Sequence, residues 1–403
     1  MTLENAGTIY LREGDFEKAE YHFLKSLEIC ENALGEQHPQ YAKSLYGMGM
    51  LYFNKNNYDQ AEWYILKALD IKKRIFGENS MEYADYVSTL GVVYDWMGDY
   101  VKAEPYLLHA YQIAKNQEEV YNPELVIIVH RLAEYYANIL AFQQAEEYYL
   151  EELELKKKLL SDQPINYAST LIDIAKQYGY MGNIGKSEFY FQQALNIYRQ
   201  SAEENTKDCA TAYSGMGVVR LYVGDLNQAE QYLSRALEIR KKINGEQNSE
   251  YANTCSALGW LCLKKGHYDE AEKYMQKAFE IQKNTLDEEN SEYIMALNNL
   301  GSIYIMLCDT LKSMQFLHKM EKCIEKQPEM SSYNKATLLN SIGVAYMKLG
   351  ENKKAKEYFL LACDEGAKSP GNNVYLEQPL NNIVALHFMQ KDYKSAEPYF
   401  IQK

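Results

Sequence analysis

The sequence predicts an all-α protein, an α-solenoid of about ten helix pairs, and three observations carry that prediction. A phrase recurs as "LGEQHPQYA" at Leu34 to Ala42, "FGENSMEYA" at Phe76 to Ala84 and "NGEQNSEYA" at Asn244 to Ala252, with starts 42 and then 168 residues apart, the latter being four further steps of 42. A fixed period of that size marks a stack of identical supersecondary units. Aligning on A-E-x-Y then gives anchors at Ala19, Ala61, Ala103, Ala145, Ser187, Ala229, Ala271, Ser313 and Ala355, each 42 residues after the last, and at Ala396 after 41. Finally, large and small side chains return at constant offsets from those anchors.

The second helix of each unit carries the anchor. Four residues on stands a large apolar side chain in every unit, from Phe23, Ile65 and Leu107 to Phe359 and Phe400, and seven on a small one in most, such as Ser26, Ala68 and Ala236. Steps of four and three trace one stripe of an α-helix. The first helix precedes it, with apolar residues at Leu45, Leu171, Leu297 and Leu339. Four residues further comes Gly49, Gly91, Ala133, Ala175, Gly217, Gly259, Gly301 or Gly343. Glycine inside a helix costs about 1 kcal/mol against alanine, so its return at one register predicts close approach of a neighbouring helix.

Between the two helices, turns such as "GDF", "GDY" and "GDL" place Gly14, Gly98, Gly182, Gly224 and Gly266 where a left-handed residue ends a helix. The recurring phrase is the joint between units. Gly35, Gly77 and Gly245 end one unit, and His38, Ser80, Asn122, Asn248 and Asn290 fill the N-cap register of the next. Pro39 and Pro123 fall at N1, where the missing N–H does no harm.

Composition narrows the function classes. Of 403 residues 47% are hydrophobic and 24% charged, which is ordinary for a folded chain, and no apolar run approaches a membrane span. The start "MTLENAGTIYLREGDFEKAE" has no basic region leading into an apolar one, so no secretory signal is read. A formal charge of −14 opposes phosphate backbones, which excludes nucleic acid as the expected partner. Seven cysteines without a C-x-x-C pair fit a reducing cytoplasm, and the seven histidines show no metal spacing. No cofactor, no metal and no catalytic residue is expected. Met1 falls inside the first helix of unit 1, and Lys403 lies seven residues past Ala396. The chain is therefore expected to be part of a longer protein, with uncapped ends open to self-association.

Leu-x-x-(Leu/Met)-Gly/Ala-x-x-Tyr in the first helix, with Ala-x-x-x-(Phe/Tyr)-x-x-Ala-Leu in the second, resembles the tetratricopeptide repeat. The 42-residue period and "LGEQHPQYAKSLYGMGMLYFNKNNYDQAEWYILKALDI" are similar to the kinesin light chain subtype. The likeness covers nearly the whole of residues 1–403 as one array. It departs most in unit 8, where Cys308 replaces the turn glycine, Thr310 the aromatic and Ser313 the alanine. The resemblance implies a right-handed superhelix whose first helices line a concave groove for a peptide or protein segment.

The groove candidates lie 18, 14, 11 and 7 residues before each anchor, a helical stripe opposite the core. The last register holds Arg12, Asn54, Trp96, Asn138, Tyr180, Tyr222, Lys264, Met306, Lys348 and Met389. Neighbouring registers add a polar set including Thr89, Arg131, Asp173, Asn299 and Asn382, and a Met/Val/Trp row at Met50, Val92, Val218, Trp260 and Val344. That row either lines the groove or packs between adjacent first helices. The Lys/Asn/Lys/Arg clamp of family members that take acidic tails is absent here. "LNNLG" at Leu297 to Gly301 and "LNNIV" at Leu380 to Val384 resemble the Leu-Asn-Asn phrase of kinesin light chains. That likeness implies that Asn298, Asn299, Asn340, Asn381 and Asn382 hold peptide backbone.

Three repeated residue types read as structure. The tyrosines Tyr64, Tyr106, Tyr148, Tyr190, Tyr232, Tyr274, Tyr358 and Tyr399 share one packing register. The carboxylates after the anchor, from Glu20 and Glu62 to Glu272, read as inter-helix contacts, and Cys255, Cys262 and Cys363 as core thiols. The expected function is a non-enzymatic scaffold binding a neutral to basic peptide or protein segment through Trp96, Tyr180, Tyr222, Met306, Arg131, Asn299, Asn340 and Asn382. The alternatives are a sensor or regulatory arm of a bacterial effector, for example one fused to a caspase-like protease domain, or a peptide-sensing regulator that would need a helix-turn-helix domain.

Overall fold

The computed structural model describes residues 2–117, 122–139, 141–159, 164–288, 290–326, 332–368 and 373–401. Met1 and Lys403, on which the expectation about the chain ends rests, lie outside the described residues. Twenty helices and no strand occur among the described residues, which agrees with ten helix pairs. None of these helices is long and apolar enough to cross a membrane.

The chain divides into two compact units, Met1–Asn138 with Phe142–Gln163, and Ile139–Ala141 with Pro164–Lys403. The first holds α1 (Leu3–Glu13), α2 (Phe16–Leu34), α3 (Pro39–Asn54), α4 (Tyr58–Phe76), α5 (Met81–Met97), α6 (Tyr100–Lys115), α7 (Pro123–Asn138) and α8 (Phe142–Leu159). The second holds α9 (Ile165–Tyr180), α10 (Ile184–Gln200), α11 (Lys207–Val223), α12 (Leu226–Asn244), α13 (Ser249–Lys265) and α14 (Tyr268–Thr285). It continues with α15 (Ser291–Met306), α16 (Thr310–Lys326), α17 (Ser332–Lys348), α18 (Asn352–Gly366), α19 (Asn373–Met389) and α20 (Tyr393–Ile401).

Each pair closes where the repeating glycines predict contact. A Cβ added at Gly49 would lie 2.6 Å from Ile65 Cγ1, at Gly91 2.7 Å from Leu107 Cγ, and at Gly217 2.6 Å from Leu233 Cγ. The large residue four past each anchor therefore rests directly on the first-helix backbone, and all three are fully buried. Phe23 also meets Gly47 of the next repeat, so one ring seals two repeats at once. Unit 8 solves its departures differently. Cys308 takes the left-handed turn at φ +57°, and Met320 fills the space against Gly301.

The joints carry the caps that their sequence predicts. His38 Nδ1 accepts from the Gln40 N–H at 3.1 Å, Ser80 Oγ from Tyr83 at 3.2 Å, and Asn122 Oδ1 from Leu125 at 2.6 Å. Asn248 Oδ1 accepts from Tyr251 at 2.9 Å, and Asn290 Oδ1 from Glu292 at 2.8 Å. Pro39 and Pro123 each begin their helix. Such caps satisfy donors that a helix start otherwise leaves bare.

Candidate functional site

The predicted stripe on the first helices is graded from core to solvent. The register seven before the anchor is exposed in all ten units, while Met50, Val92, Trp260 and Val344 one turn earlier are half-buried. Trp260 packs against two core clusters, one around Leu258 and Leu261 and one around Leu297 and Leu300, so here the packing reading of that row holds.

In the first unit, Trp96 at the end of α5 is 60% exposed although large rings flank it. Its ring lies 5.8 Å from Phe53, edge-on, and 6.5 Å from Tyr58. These partners fix the indole while leaving a face open, the condition for a low-entropy apolar anchor. Beside it, Asp95 Oδ2 accepts from Asn138 Nδ2 at 2.9 Å, whereas Oδ1 is buried without a hydrogen bond. Burial, opposed by the Asn138 bond and reinforced by Glu134, pushes the Asp95 carboxyl up to about 6. An acid held this way is short of a positive partner. Sequence reasoning singled out Trp96 and Asn138 but missed Asp95. Its signal was the spacing: Asp95 and Asn138 stand 43 residues apart on neighbouring first helices.

Arg131 on α7 is largely committed within the protein. Its Nη1 donates to the Asp85 carbonyl at 3.2 Å, to Asp85 Oδ1 at 3.1 Å and to Ser88 Oγ. Thr89, in the same cluster, bonds Tyr46 of the preceding repeat at 3.0 Å. This polar set ties α5 to its neighbours, and Arg131 offers a ligand only its remaining N–H groups.

In the second unit, Tyr180, Tyr222 and Met306 are 70%, 73% and 55% exposed at the ends of α9, α11 and α15. Val218 and Val223 are exposed beside Tyr222. Along the asparagine phrase, Asn382 Nδ2 donates to Asn340 Oδ1 at 2.8 Å, which links α17 and α19. Asn299 is half-buried, Asn381 is exposed, and Asn298 Oδ1 is buried with no partner. The asparagines thus form a partly self-satisfied strip with spare amide groups.

The repeated tyrosines, glutamates and cysteines behave as structure. Tyr64 stacks on Tyr52 at 5.5 Å, Tyr148 on Tyr136 at 5.5 Å and Tyr358 on Tyr346 at 5.4 Å. The first-helix tyrosines then reach back to the preceding unit, Tyr94 Oη donating to Glu62 at 2.6 Å and Tyr136 Oη to Glu104 at 2.8 Å. Lys55 pairs with Glu20 at 2.6 Å and Lys312 with Glu272 at 2.6 Å. Burial pushes the Cys255 thiol up to about 12 and Cys363 to about 11, which leaves almost no thiolate at neutral pH.

Stacked helix pairs with a fixed, ring-bearing exposed face define an α-solenoid of the peptide-repeat type. The tetratricopeptide repeat matches residues 1–74, 48–116 and 208–284, and a second form of the same repeat matches 336–364. The chain belongs to the tetratricopeptide repeat family. No curated protein matches it by sequence. Among solved structures it is similar to a Rap protein complexed with competence and sporulation factor, at 17% identity and TM-score 0.60, covering 91% of this chain and 97% of that one. It is also similar to the apo form of the quorum sensor NprR from B. thuringiensis, at 17% identity and TM-score 0.55, covering 93% and 98%.

Proposed function

We propose that this chain is a non-enzymatic scaffold whose exposed first-helix face holds a peptide or protein segment of neutral to basic character. The observation that carries the reading is the juxtaposition in the first unit of an exposed, ring-braced Trp96 with Asp95, a mostly buried acid that lacks a cation. A lysine, arginine or amino group of a ligand would supply that charge while its apolar neighbour covers the indole. In the second unit Tyr180, Tyr222 and Met306 serve as apolar anchors, and Asn299, Asn340 and Asn382 pair with peptide N–H and C=O groups. Arg131 holds α5 and α7 in register. The Rap protein of the same fold was solved with a bound factor, and NprR is described as a quorum sensor; both agree with a ligand-holding role.

The test is selection of binders from a random peptide library against the whole chain, followed by titration on Trp96→Ala and on Tyr180→Ala/Tyr222→Ala. Selected peptides are expected to be enriched in Lys or Arg and aromatic residues. Each variant should lose roughly 1–4 kcal/mol of binding, about five- to a thousandfold, with unchanged helicity. Binders that are acidic, or that are indifferent to all three rings, would overturn the reading.

A further inference from the structure

On α16, Glu321 accepts hydrogen bonds from two phenols through one oxygen. Tyr346 Oη on α17 donates to Glu321 Oε1 at 3.0 Å, and Tyr358 Oη on α18 donates to the same atom at 2.8 Å. The two half-buried rings stack with centroids 5.4 Å apart and planes 20° from parallel. One shared acceptor draws the hydroxyl ends together, which brings the ring carbons ortho to them side by side. Stacking alone does not do this. Tyr52 and Tyr64 stack at 5.5 Å and 9°, but of that pair Tyr52 donates to Glu20, at 3.3 Å, and Tyr64 does not.

Burial and the Glu321 charge push both hydroxyls up, Tyr346 to about 12, so each phenol holds its proton at neutral pH. Loss of an electron from either ring then requires loss of that proton, and Glu321 Oε1 already receives it in a hydrogen bond. The other carboxylate oxygen lies 3.9 Å from Nδ1 of His318, a residue open to solvent, which offers the proton a route out. Lys354 lies over the Tyr346 ring at 5.1 Å and opposes a cationic ring, so the neutral phenoxyl radical is the favoured oxidised form.

We propose that Tyr346 and Tyr358 form an oxidative cross-linking site, joined as dityrosine by diffusible one-electron oxidants such as peroxide-derived radicals. Each phenol gives one electron to the oxidant and one proton to Glu321 or, through it, to solvent. The two phenoxyl radicals then form a carbon–carbon bond between their ortho positions, and the hydrogen on each of those carbons moves to its own ring oxygen. The net change is loss of two electrons and two protons, with both hydroxyls restored. The product ties α17 to α18 between residues 12 apart in the chain and limits the unfolded state as a disulfide does, without a thiol.

The experiment illuminates the whole chain with tris(bipyridyl)ruthenium(II) and persulfate, in which persulfate takes up the electrons and ends as sulfate. Dityrosine fluorescence follows the rate, and tryptic mapping by mass spectrometry locates the bond. The expected product joins peptides 336–348 and 357–368, lighter than their sum by two hydrogens, and forms before any Tyr52–Tyr64 link. Glu321→Gln keeps a hydrogen-bond acceptor but no base, and should slow the 346–358 link by at least about tenfold. Tyr358→Phe should abolish it with the helical signal unchanged, which keeps the test open if Glu321→Gln does not fold. Absence of the 346–358 link in the parent chain overturns the assignment. So does an equal rate in a folded Glu321→Gln variant, or links between separate copies through the exposed Tyr180 and Tyr222 that appear first.

Discussion

Replacing Asp95 by Asn separates stability from binding. The carboxyl ordinarily titrates at 3.8 and is raised to about 6 in the fold, chiefly by burial. The native state thus holds its proton over a range where the unfolded chain has released it. Stability falls as pH rises from about 4 to about 6 and stays low above that. Two pH units at 1.36 kcal/mol each give an upper bound of about 3 kcal/mol at pH 7. The asparagine still accepts from Asn138 but places an amide at the orphaned Oδ1 position, which returns about 1 kcal/mol, leaving a net gain of about 1–3 kcal/mol. Thermal melts of the parent and Asp95→Asn at pH 4, 5, 6 and 7.5 measure it. The variant should match the parent near pH 4 and exceed it by several degrees at pH 7.5, while binding basic peptides more weakly. An equal or lower melting temperature at pH 7.5, or a difference independent of pH, would refute the reasoning.

The packing of the pairs and the thiols gives further tests. Gly217→Ala puts a methyl carbon 2.6 Å from Leu233 Cγ and should destabilise by about 1–3 kcal/mol in urea, whereas the same change at Gly185, where nothing lies within 4 Å, should not. Ala229→Leu, at a fully buried anchor, should cost at least as much, and an unchanged melt would contradict the repeat alignment. Of the seven cysteines only Cys308 is exposed, so an aromatic disulfide reagent at pH 8 should show one fast thiol, abolished in Cys308→Ser.

The caps, turns and helix contacts were legible in the sequence because each is local chemistry repeated ten times. His38 and Asn248 needed only their place before a helix, and Gly49 only its constant distance from Ile65. The exposed rings were legible for the same reason, since seven residues before an anchor always points away from the core. What escaped was polar pairing between successive repeats. Arg131, read from the sequence as a groove residue, also donates from Nη1 to Asp85 and Ser88, 46 and 43 residues earlier. Asp95 with Asn138, and Asn340 with Asn382, follow the same one-period spacing. Polar residues about one period apart on first helices were therefore the signal to seek.

The central claim, that the first-helix face receives the ligand, is tested most directly by photo-crosslinking. A crosslinking amino acid placed at Tyr222 on α11 is compared with one at Phe189 on α10, which is 56% exposed but belongs to a second helix. With a library-selected peptide, the account predicts adducts from position 222, suppressed by unlabelled peptide, and none from position 189. Adducts confined to position 189 would contradict it.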